Sequence, residues 1–149
     1  MPDPISAAKN FIWAYVAAAV VSLVGLGDAI YLTIRDLTGQ NNVPCTIIAG
    51  CAEVLGSKYA HVGPVPLAVF GAVAYFAFFS LAILVVFGYS LARPLLLVLV
   101  AIMFLTTLWL TYLQAFVIHH FCQYCLLSAA VTTVLTLIVG ICFLKSRRT

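Results

Sequence analysis

The chain has 149 residues, of which 65% are hydrophobic and only 7% are charged, with a formal net charge of +3. A soluble domain carries roughly a quarter charged residues. The few charges of this chain therefore cannot cover the surface of a water-soluble globule. The composition therefore excludes a soluble enzyme, a disordered chain and a nucleic-acid binder, and it predicts a membrane protein.

Four apolar stretches are long enough to cross a bilayer, which takes about 20 residues each. They are predicted at residues 11–34, 65–87, 94–118 and 122–144. We therefore expect an all-α membrane protein, a four-transmembrane-helix bundle built as a single membrane domain over residues 1–149.

The distribution of basic residues predicts the orientation of this bundle. Five of the Lys and Arg residues fall on one side of the four-span arrangement, namely Lys9, Arg93, Lys145, Arg147 and Arg148. Arg35 and Lys58 fall on the other side. Both termini are therefore predicted to be cytoplasmic in a multi-pass protein of the cell (inner) membrane, with the outer loop 35–64 on the periplasmic or extracellular side.

Two charged residues sit near the outer end of the first span. Asp28 and Arg35 are seven residues apart, which places them on one helical face. They form either an interfacial ion pair, with Arg35 reaching to the membrane surface, or part of a proton path. Lys58 and His61, in the outer loop, are expected to face solvent or lipid headgroups.

The outer loop holds the first cysteine pair. Cys45 and Cys51 follow the polar segment Gly39-Gln40-Asn41-Asn42. By themselves they could form one static structural disulfide or a disulfide that is exchanged with another thiol pair.

A second pair, Cys122-Gln-Tyr-Cys125, opens the last span with the spacing of a redox dithiol. Positions i and i+3 share a helical face, and the N-terminal end of a helix favours a thiolate. Ordinary buried packing is the alternative for such cysteines. Two pairs on the same outer side favour a relay in which one disulfide is exchanged for the other, whereas Cys142, near the cytoplasmic end, is expected only to pack.

Two histidines precede the second pair and raise the alternative of a metal site. His119 and His120, with Cys122 and Cys125, could nominally supply the four ligands that zinc requires. Adjacent residues on a helix point about 100° apart, and a metal site would leave the loop cysteines unexplained. We therefore predict no metal, and we expect the histidines to mark the membrane interface.

The arrangement of two loop cysteines followed by C-x-x-C on the last of four spans resembles the vitamin K epoxide reductase (VKOR) family. The segment Cys51-Ala-Glu-Val-Leu-Gly-Ser57 is similar to the family's cysteine, hydrophobic residues and serine six positions on. Phe70-Gly71 in the second span and Cys122-Gln-Tyr-Cys125 in the last also fall at family-like places. The resemblance covers nearly the whole chain.

This resemblance implies a quinone-linked thiol-disulfide oxidoreductase and a role for each cysteine. Cys125 would contact the quinone ring, and Cys122 would exchange with the loop. Cys51 would attack Cys122, while Cys45 would receive electrons from a thioredoxin-like, disulfide-introducing partner. Ser57 would hydrogen-bond a quinone carbonyl.

The resemblance also implies a short helix in the outer loop, over residues 52–59, lying across the mouth of the bundle. Four aromatic side chains could stack on the ring, namely Phe70, Tyr75, Phe76 and Tyr124. Phe70 and Tyr75 are the candidates for contact with it, and packing in the membrane core is the alternative. The quinone would be of the ubiquinone, menaquinone or phylloquinone type. Because the chain ends soon after the last span, the thioredoxin-like partner is expected to be a separate protein.

Two positions depart from the vertebrate members, which carry an asparagine in the second helix and a tyrosine four residues after the C-x-x-C. Leu67 and Ala129 stand at the corresponding places. This favours reduction of a respiratory quinone in support of disulfide formation over the alternative, a vitamin K quinone or epoxide reductase. A non-catalytic membrane bundle with a structural disulfide is the alternative from another class.

Overall fold

Four long helices dominate the computed structural model, which describes residues 3–40, 44–47 and 50–148. All four are long and apolar enough to span a membrane. This confirms the predicted fold class, whereas the assignment of one domain to residues 1–149 stays a prediction. The helices are α1 (Pro4–Leu37), the short α2 (Cys51–Leu55), α3 (Leu67–Val86), α4 (Ala92–Tyr112) and α5 (Gln123–Arg148).

The ends of the spans follow local backbone chemistry. Proline occupies the first turn of α1, where its missing N–H is not needed for a helical hydrogen bond. Helix α3 ends before Gly88, whose φ of 89° lies in the left-handed region that glycine adopts without strain. The chain then turns directly into α4, so that α3 and α4 form the tight hairpin expected of neighbouring spans.

The bundle is assembled around α1. This helix packs against α3 and α5, and α4 closes the other side against the same two helices. The buried face of α1 is made largely of small residues, Ala18, Ala19, Ser22 and Gly25. Small side chains let helix backbones approach closely in a membrane, where packing rather than water exclusion drives association.

The segment between α1 and α3 forms a cap over one end of the bundle, and we use that name for residues 50–66. Helix α2 confirms the expected short helix in the outer loop, but it ends at Leu55 and does not run through residue 59. Ser57 adopts an extended backbone conformation, and a separate 3-10 turn follows at Lys58–Ala60. The predicted polar residues Asn41 and Asn42 lie outside the described residues.

A small antiparallel hairpin completes the cap, with His61–Val62 paired to Val65–Pro66. Gly63, at φ 64°, provides the left-handed turn position between the two strands. The second span therefore begins at Leu67 rather than at residue 65, because Val65 and Pro66 belong to the hairpin.

The last connection is an irregular one. Helix α4 continues into a π-helical turn, Leu113–Ile118, and the chain then breaks at His119, whose φ is 57°. Helix α5 begins four residues later. This break brings Cys122 and Cys125 to the same end of the bundle as the cap, so the four predicted redox cysteines gather at one end.

Candidate active site

The loop cysteines are joined to each other. Cys45 and Cys51 form a disulfide with their Cα atoms 6.3 Å apart. Cys51 is the first residue of α2 and is buried, whereas Cys45 remains partly exposed. The cap therefore presents a disulfide with one accessible end and one enclosed end.

The second pair sits at the start of α5 in the thiol form. The carbonyl of Cys122 accepts the first helical hydrogen bond, from the N–H of Leu126 at 3.0 Å, which makes Cys122 the N-cap residue. Its sulfur accepts hydrogen bonds from the backbone N–H groups of Tyr124 and Cys125. A cysteine thus takes the place that serine or aspartate commonly fills, and its sulfur receives the N–H groups that a helix start leaves without partners.

The ionisation of Cys122 follows from this position. The thiol of Cys125 hydrogen-bonds to it, and together with the backbone N–H groups this lowers the pKa of Cys122 to about 7, against the opposing effect of burial. A thiolate is the attacking species in disulfide exchange. Cys122 is therefore prepared to react near neutral pH.

The two pairs share one cluster. Cys51, Val54 and Cys122 are buried together, and Cys45 and Cys125 pack against them. Cys122 is 0% exposed, so its sulfur contacts only protein groups. The structure therefore brings together all four cysteines that the sequence singled out.

Cys125 faces a cavity beneath the cap. The cavity has a volume of about 160 Å³, and its wall includes residues from all four long helices and from the cap. A cavity of comparable size, about 150 Å³, is enough to hold a benzene ring in a protein core. Its mostly apolar wall with a few polar groups is typical of small-molecule sites.

One polar group on that wall is a cluster of hydroxyls around Tyr75. The Tyr75 hydroxyl lies 2.7 Å from Ser128 Oγ and 2.9 Å from Thr132 Oγ1, and it donates to the carbonyl of Ser128 at 3.0 Å in the same network. Tyr75 and Ser128 line the cavity, whereas Thr132 is buried behind them. Sequence reasoning selected Tyr75 for its aromatic ring and missed its two hydroxyl partners, although their spacing of four residues on the last span was visible.

Of the other predicted quinone contacts, the structure brings Ser57 to the cavity and leaves Phe70 outside. The Ser57 hydroxyl lines the cavity but donates its hydrogen to the carbonyl of Val54 at 2.7 Å. Phe70 is 51% exposed and is absent from the described cavity wall. Positions 70 and 75 are about 140° apart around a helix, so they do not face the same space.

The charged residues of the first span do not form the expected ion pair, whereas the alternative of a proton path stays a prediction. No ion pair joins Asp28 to Arg35 in the described part of the chain; Arg35 donates to Gln40 Oε1 at 2.6 Å. Asp28 instead lines the cavity, and its charge is near enough to interact with Cys122. His61 is partly exposed, and its Nε2 lies 3.1 Å from both carboxylate oxygens of Asp36, a contact that the sequence did not suggest.

The histidines before the second pair stay at the surface. His119 and His120 are exposed, and across residues 3–40, 44–47 and 50–148 no group of three or more His, Cys, Asp or Glu side chains is placed to hold a metal. Cys142 lies in the core of the bundle, packed with residues such as Tyr15 and Val139.

A buried amide near the second pair escaped sequence reasoning. Gln114, in the π-helical turn, is 4% exposed and accepts a hydrogen bond from the N–H of Cys122 at 3.1 Å through Oε1. The signal was a lone amide within an apolar span, where polar side chains are costly unless they are bonded. Gln114 thereby fixes the backbone at the start of α5.

A comparison with models of protein families gives a match that spans the site. The model of the vitamin K epoxide reductase family matches residues 16–139, which include both cysteine pairs and all of the cavity wall.

Proposed function

The chain belongs to the vitamin K epoxide reductase family, whose members are oxidoreductases that act on thiols with quinones, and we propose that this one reoxidises a thioredoxin-like partner and passes the electrons to a membrane quinone. Such a reaction would support disulfide formation in other proteins. The proposal keeps the roles that the family resemblance implies for the four cysteines.

The observation that carries the proposal is the graded accessibility of the sulfur atoms. Cys45 is partly exposed, Cys51 and Cys122 are buried, and Cys125 faces the cavity. A protein-sized thiol reaches only Cys45, and a ligand in the cavity reaches only Cys125. Electrons entering from a partner must therefore pass through both pairs in order.

The proposed reaction consists of three balanced exchanges. The partner's dithiol reduces the Cys45–Cys51 disulfide and becomes a disulfide. The Cys51 thiolate then attacks Cys122 of an oxidised Cys122–Cys125 pair and releases the Cys125 thiolate, after which Cys45 attacks Cys51 and releases Cys122. The loop disulfide and the two free thiols of the structure are the products of this second exchange.

In the third exchange, Cys122 and Cys125 close to a disulfide and deliver two electrons. A quinone of the ubiquinone, menaquinone or phylloquinone type, held in the cavity, would supply the acceptor for these two electrons and for two protons. Cys125 would supply electrons at the cavity wall, and Tyr75 would orient the ring through its hydroxyl network. Ser57 would donate to a quinone carbonyl once its hydroxyl turns away from the carbonyl of Val54, which accepts its hydrogen in the structure.

Asp28 is suited to move protons in this step. It is the acidic side chain on the cavity wall that has no ion-pair partner among the described residues, whereas Asp36 is engaged by His61. We propose that Asp28 takes a proton from the thiol pair and returns one to the cavity, which is the proton path suggested by its position in the sequence.

The cavity favours plain quinone reduction over epoxide chemistry. Leu67 and Ala129, the two positions that depart from the vertebrate pattern, both line it. Neither side chain can donate a hydrogen bond to an epoxide oxygen. The alternative of a vitamin K quinone or epoxide reductase is tested with the same assay, by offering the epoxide as substrate.

The test is quinone reduction by the purified full chain, followed by quinone absorbance, with a small dithiol or a thioredoxin-like protein as the electron donor. We expect Cys125→Ala and Cys122→Ala to abolish reduction with either donor. We expect Cys45→Ala to block the protein donor only, since a small dithiol reaches Cys125 through the cavity. Reduction at the normal rate by Cys125→Ala would show that the mechanism is wrong.

A non-catalytic bundle with a structural disulfide gives a different result. Its loop disulfide would persist in mild reductant, and removal of Cys45 would trap no Cys51–Cys122 disulfide. The proposed relay requires that both pairs exchange and that this mixed disulfide accumulates.

A further inference from the structure

The two residues between the cysteines of the helix pair make hydrogen bonds to the loop that carries the other pair. The Tyr124 hydroxyl donates to the carbonyl of Pro44 at 3.0 Å. The Oε1 of Gln123 accepts from the N–H of Ile47, also at 3.0 Å. Pro44 and Ile47 lie on either side of Cys45 in the sequence, so the two bonds hold the loop at both flanks of that cysteine.

Both bonds are made to backbone groups of an exposed loop that has few other described attachments. Pro44 and Ile47 are exposed, and Ile47 is 85% exposed. Backbone bonds of this kind fix the path of the loop whatever side chains it carries. None of the described loop residues 44–47 is fully buried, so these two bonds add to the packing of Cys45 in holding this part of the loop.

The other end of the loop touches the same segment of the chain. Gly50 is packed so closely on Phe121 that an added Cβ would overlap the backbone oxygen of Phe121. From the membrane side, the ring of Tyr31 supports the ring of Tyr124, with their centroids 5.6 Å apart. The segment 121–124 therefore contacts the loop at each of its described parts, residues 44–47 and Gly50.

We propose that Gln123 and Tyr124 are positioning residues for electron transfer between the pairs: they hold the Cys45–Cys51 loop on the start of α5 so that Cys51 and Cys122 meet. This inference rests on the proposed function. In the exchange, the Cys51 thiolate forms the bond to Cys122 as the Cys122–Cys125 bond breaks, and Cys125 leaves as a thiolate. The two cysteines already belong to one chain, and holding the loop in place also keeps the Cys51 sulfur close to Cys122. Such fixed orientation of the reacting groups accelerates a reaction strongly.

The assay isolates that exchange from the reaction with quinone. In a Cys45→Ala background, Cys51 is a free thiol, and the Cys51–Cys122 mixed disulfide can be trapped and measured over time after the helix pair is oxidised. Tyr124→Phe removes one hydroxyl and keeps the ring, and Gln123→Met removes the acceptor oxygen and keeps the length of the side chain.

We expect each substitution to slow formation of the mixed disulfide by about fivefold and the double substitution by more than tenfold, in keeping with the loss of one hydrogen bond each. Gln123→Glu retains an acceptor oxygen and should restore the rate. Tyr89→Phe, at an exposed tyrosine between α3 and α4, is the matched control and should leave the rate unchanged.

A second variant approaches the same contact from the loop. Gly50→Ala places a methyl group against the Phe121 carbonyl and should slow the mixed disulfide as well, while a thermal midpoint measured alongside reports whether the bundle remains folded.

The outcomes separate the two proposals. A double variant that traps the mixed disulfide within twofold of the parent rate, in protein that is folded, overturns the positioning role and leaves the proposed function standing. A parent that forms no mixed disulfide and reduces no quinone overturns the proposed function, and the positioning role with it.

Discussion

Cys122 combines three roles that are usually assigned to separate residues. It caps α5 through its carbonyl and sulfur, it accepts a hydrogen bond from Cys125, and it lies within the cluster that contains Cys51. Each of these contacts stabilises negative charge on the sulfur or places it near its reaction partner. The reactivity of the pair thus depends on where one residue lies relative to a helix end.

The lowered pKa of Cys122 predicts that its thiolate forms as the pH rises through about 7. An ordinary thiol ionises about one to two pH units higher. The measurement is a pH titration of thiolate ultraviolet absorbance in reduced protein carrying Cys45→Ala, Cys51→Ala and Cys142→Ala. Adding Cys125→Ala removes the donor and should raise the midpoint, whereas Cys125→Ser keeps a donor and should hold it low. A midpoint in the ordinary range with Cys125 intact contradicts the assigned cause.

Asp28 offers a second test at the scale of one residue. Asp28→Asn preserves size and polarity but cannot exchange a proton, so we expect single-turnover quinone reduction to fall by at least about tenfold. Asp3→Asn, at the exposed start of the same helix, is the matched control and should reduce quinone at the parent rate. Equal rates for Asp28→Asn and the parent would remove Asp28 from the proton path.

At the scale of elements, the contact between α1 and α3 positions the inner wall of the cavity. Gly25 lies directly against the ring of Tyr75, so that an added Cβ would overlap three ring atoms. Tyr75 is 2% exposed and is held from the other side by Ser128 and Thr132. Because Tyr75 lines the cavity, a shift of its ring changes the cavity wall.

Gly25→Ala is therefore expected to destabilise the bundle by about 1–3 kcal/mol, as overpacking commonly does, and to weaken quinone binding. Gly27→Ala, two residues along the same helix, meets no atom within 4 Å. There we expect no loss, and a gain of roughly 0.5–1 kcal/mol from helix propensity. Unfolding in detergent, monitored for both variants, provides the comparison. Equal stabilities for the two variants would mean that Tyr75 can shift without cost.

For the whole molecule, the cap and all four redox cysteines lie at one end of the bundle, and the excess of basic residues lies at the other. We infer that the basic end is cytoplasmic and that the cysteines face the outer, oxidising side. In this orientation the four helices separate the reducing cytoplasm from the oxidising outer side.

This orientation predicts which thiols a membrane-impermeant reagent can label in intact cells. In the Cys51→Ala variant, the free thiol at Cys45 should be labelled from outside, because it is partly exposed. A Tyr89→Cys substitution between α3 and α4, made in protein without other cysteines, should be labelled only after the membrane is opened. The reverse pattern would invert the topology.

The sequence was sufficient for the spans and for the cysteine pairs, for simple physical reasons. Long apolar runs have few structural alternatives in a membrane, so the four helices were predictable within a few residues. The spacing of Cys122 and Cys125, and the opening of a helix there, follow from the break before a new apolar run. The family resemblance then supplied the expected role of each cysteine in the exchange.

The sequence did not predict which way individual side chains point or which distant residues they contact. Helix α3 is apolar on every side, so no polar face showed that Tyr75 points inward and Phe70 outward. The bond from Cys122 to Gln114 and the pairing of His61 with Asp36 join residues far apart in the chain or across an irregular turn. Such contacts depend on the final packing, and local residue patterns do not encode them.

The complete enclosure of the Cys122 sulfur has a consequence for the cell. Thiols of other secreted and membrane proteins cannot contact it directly, so under the proposed function they would not pass electrons through it to the quinone. The rate of electron transfer would then depend on which molecule fits at Cys45, and not on how many thiols surround the protein. Selectivity for the proposed thioredoxin-like partner over other thiols would thus arise from the inaccessibility of Cys122.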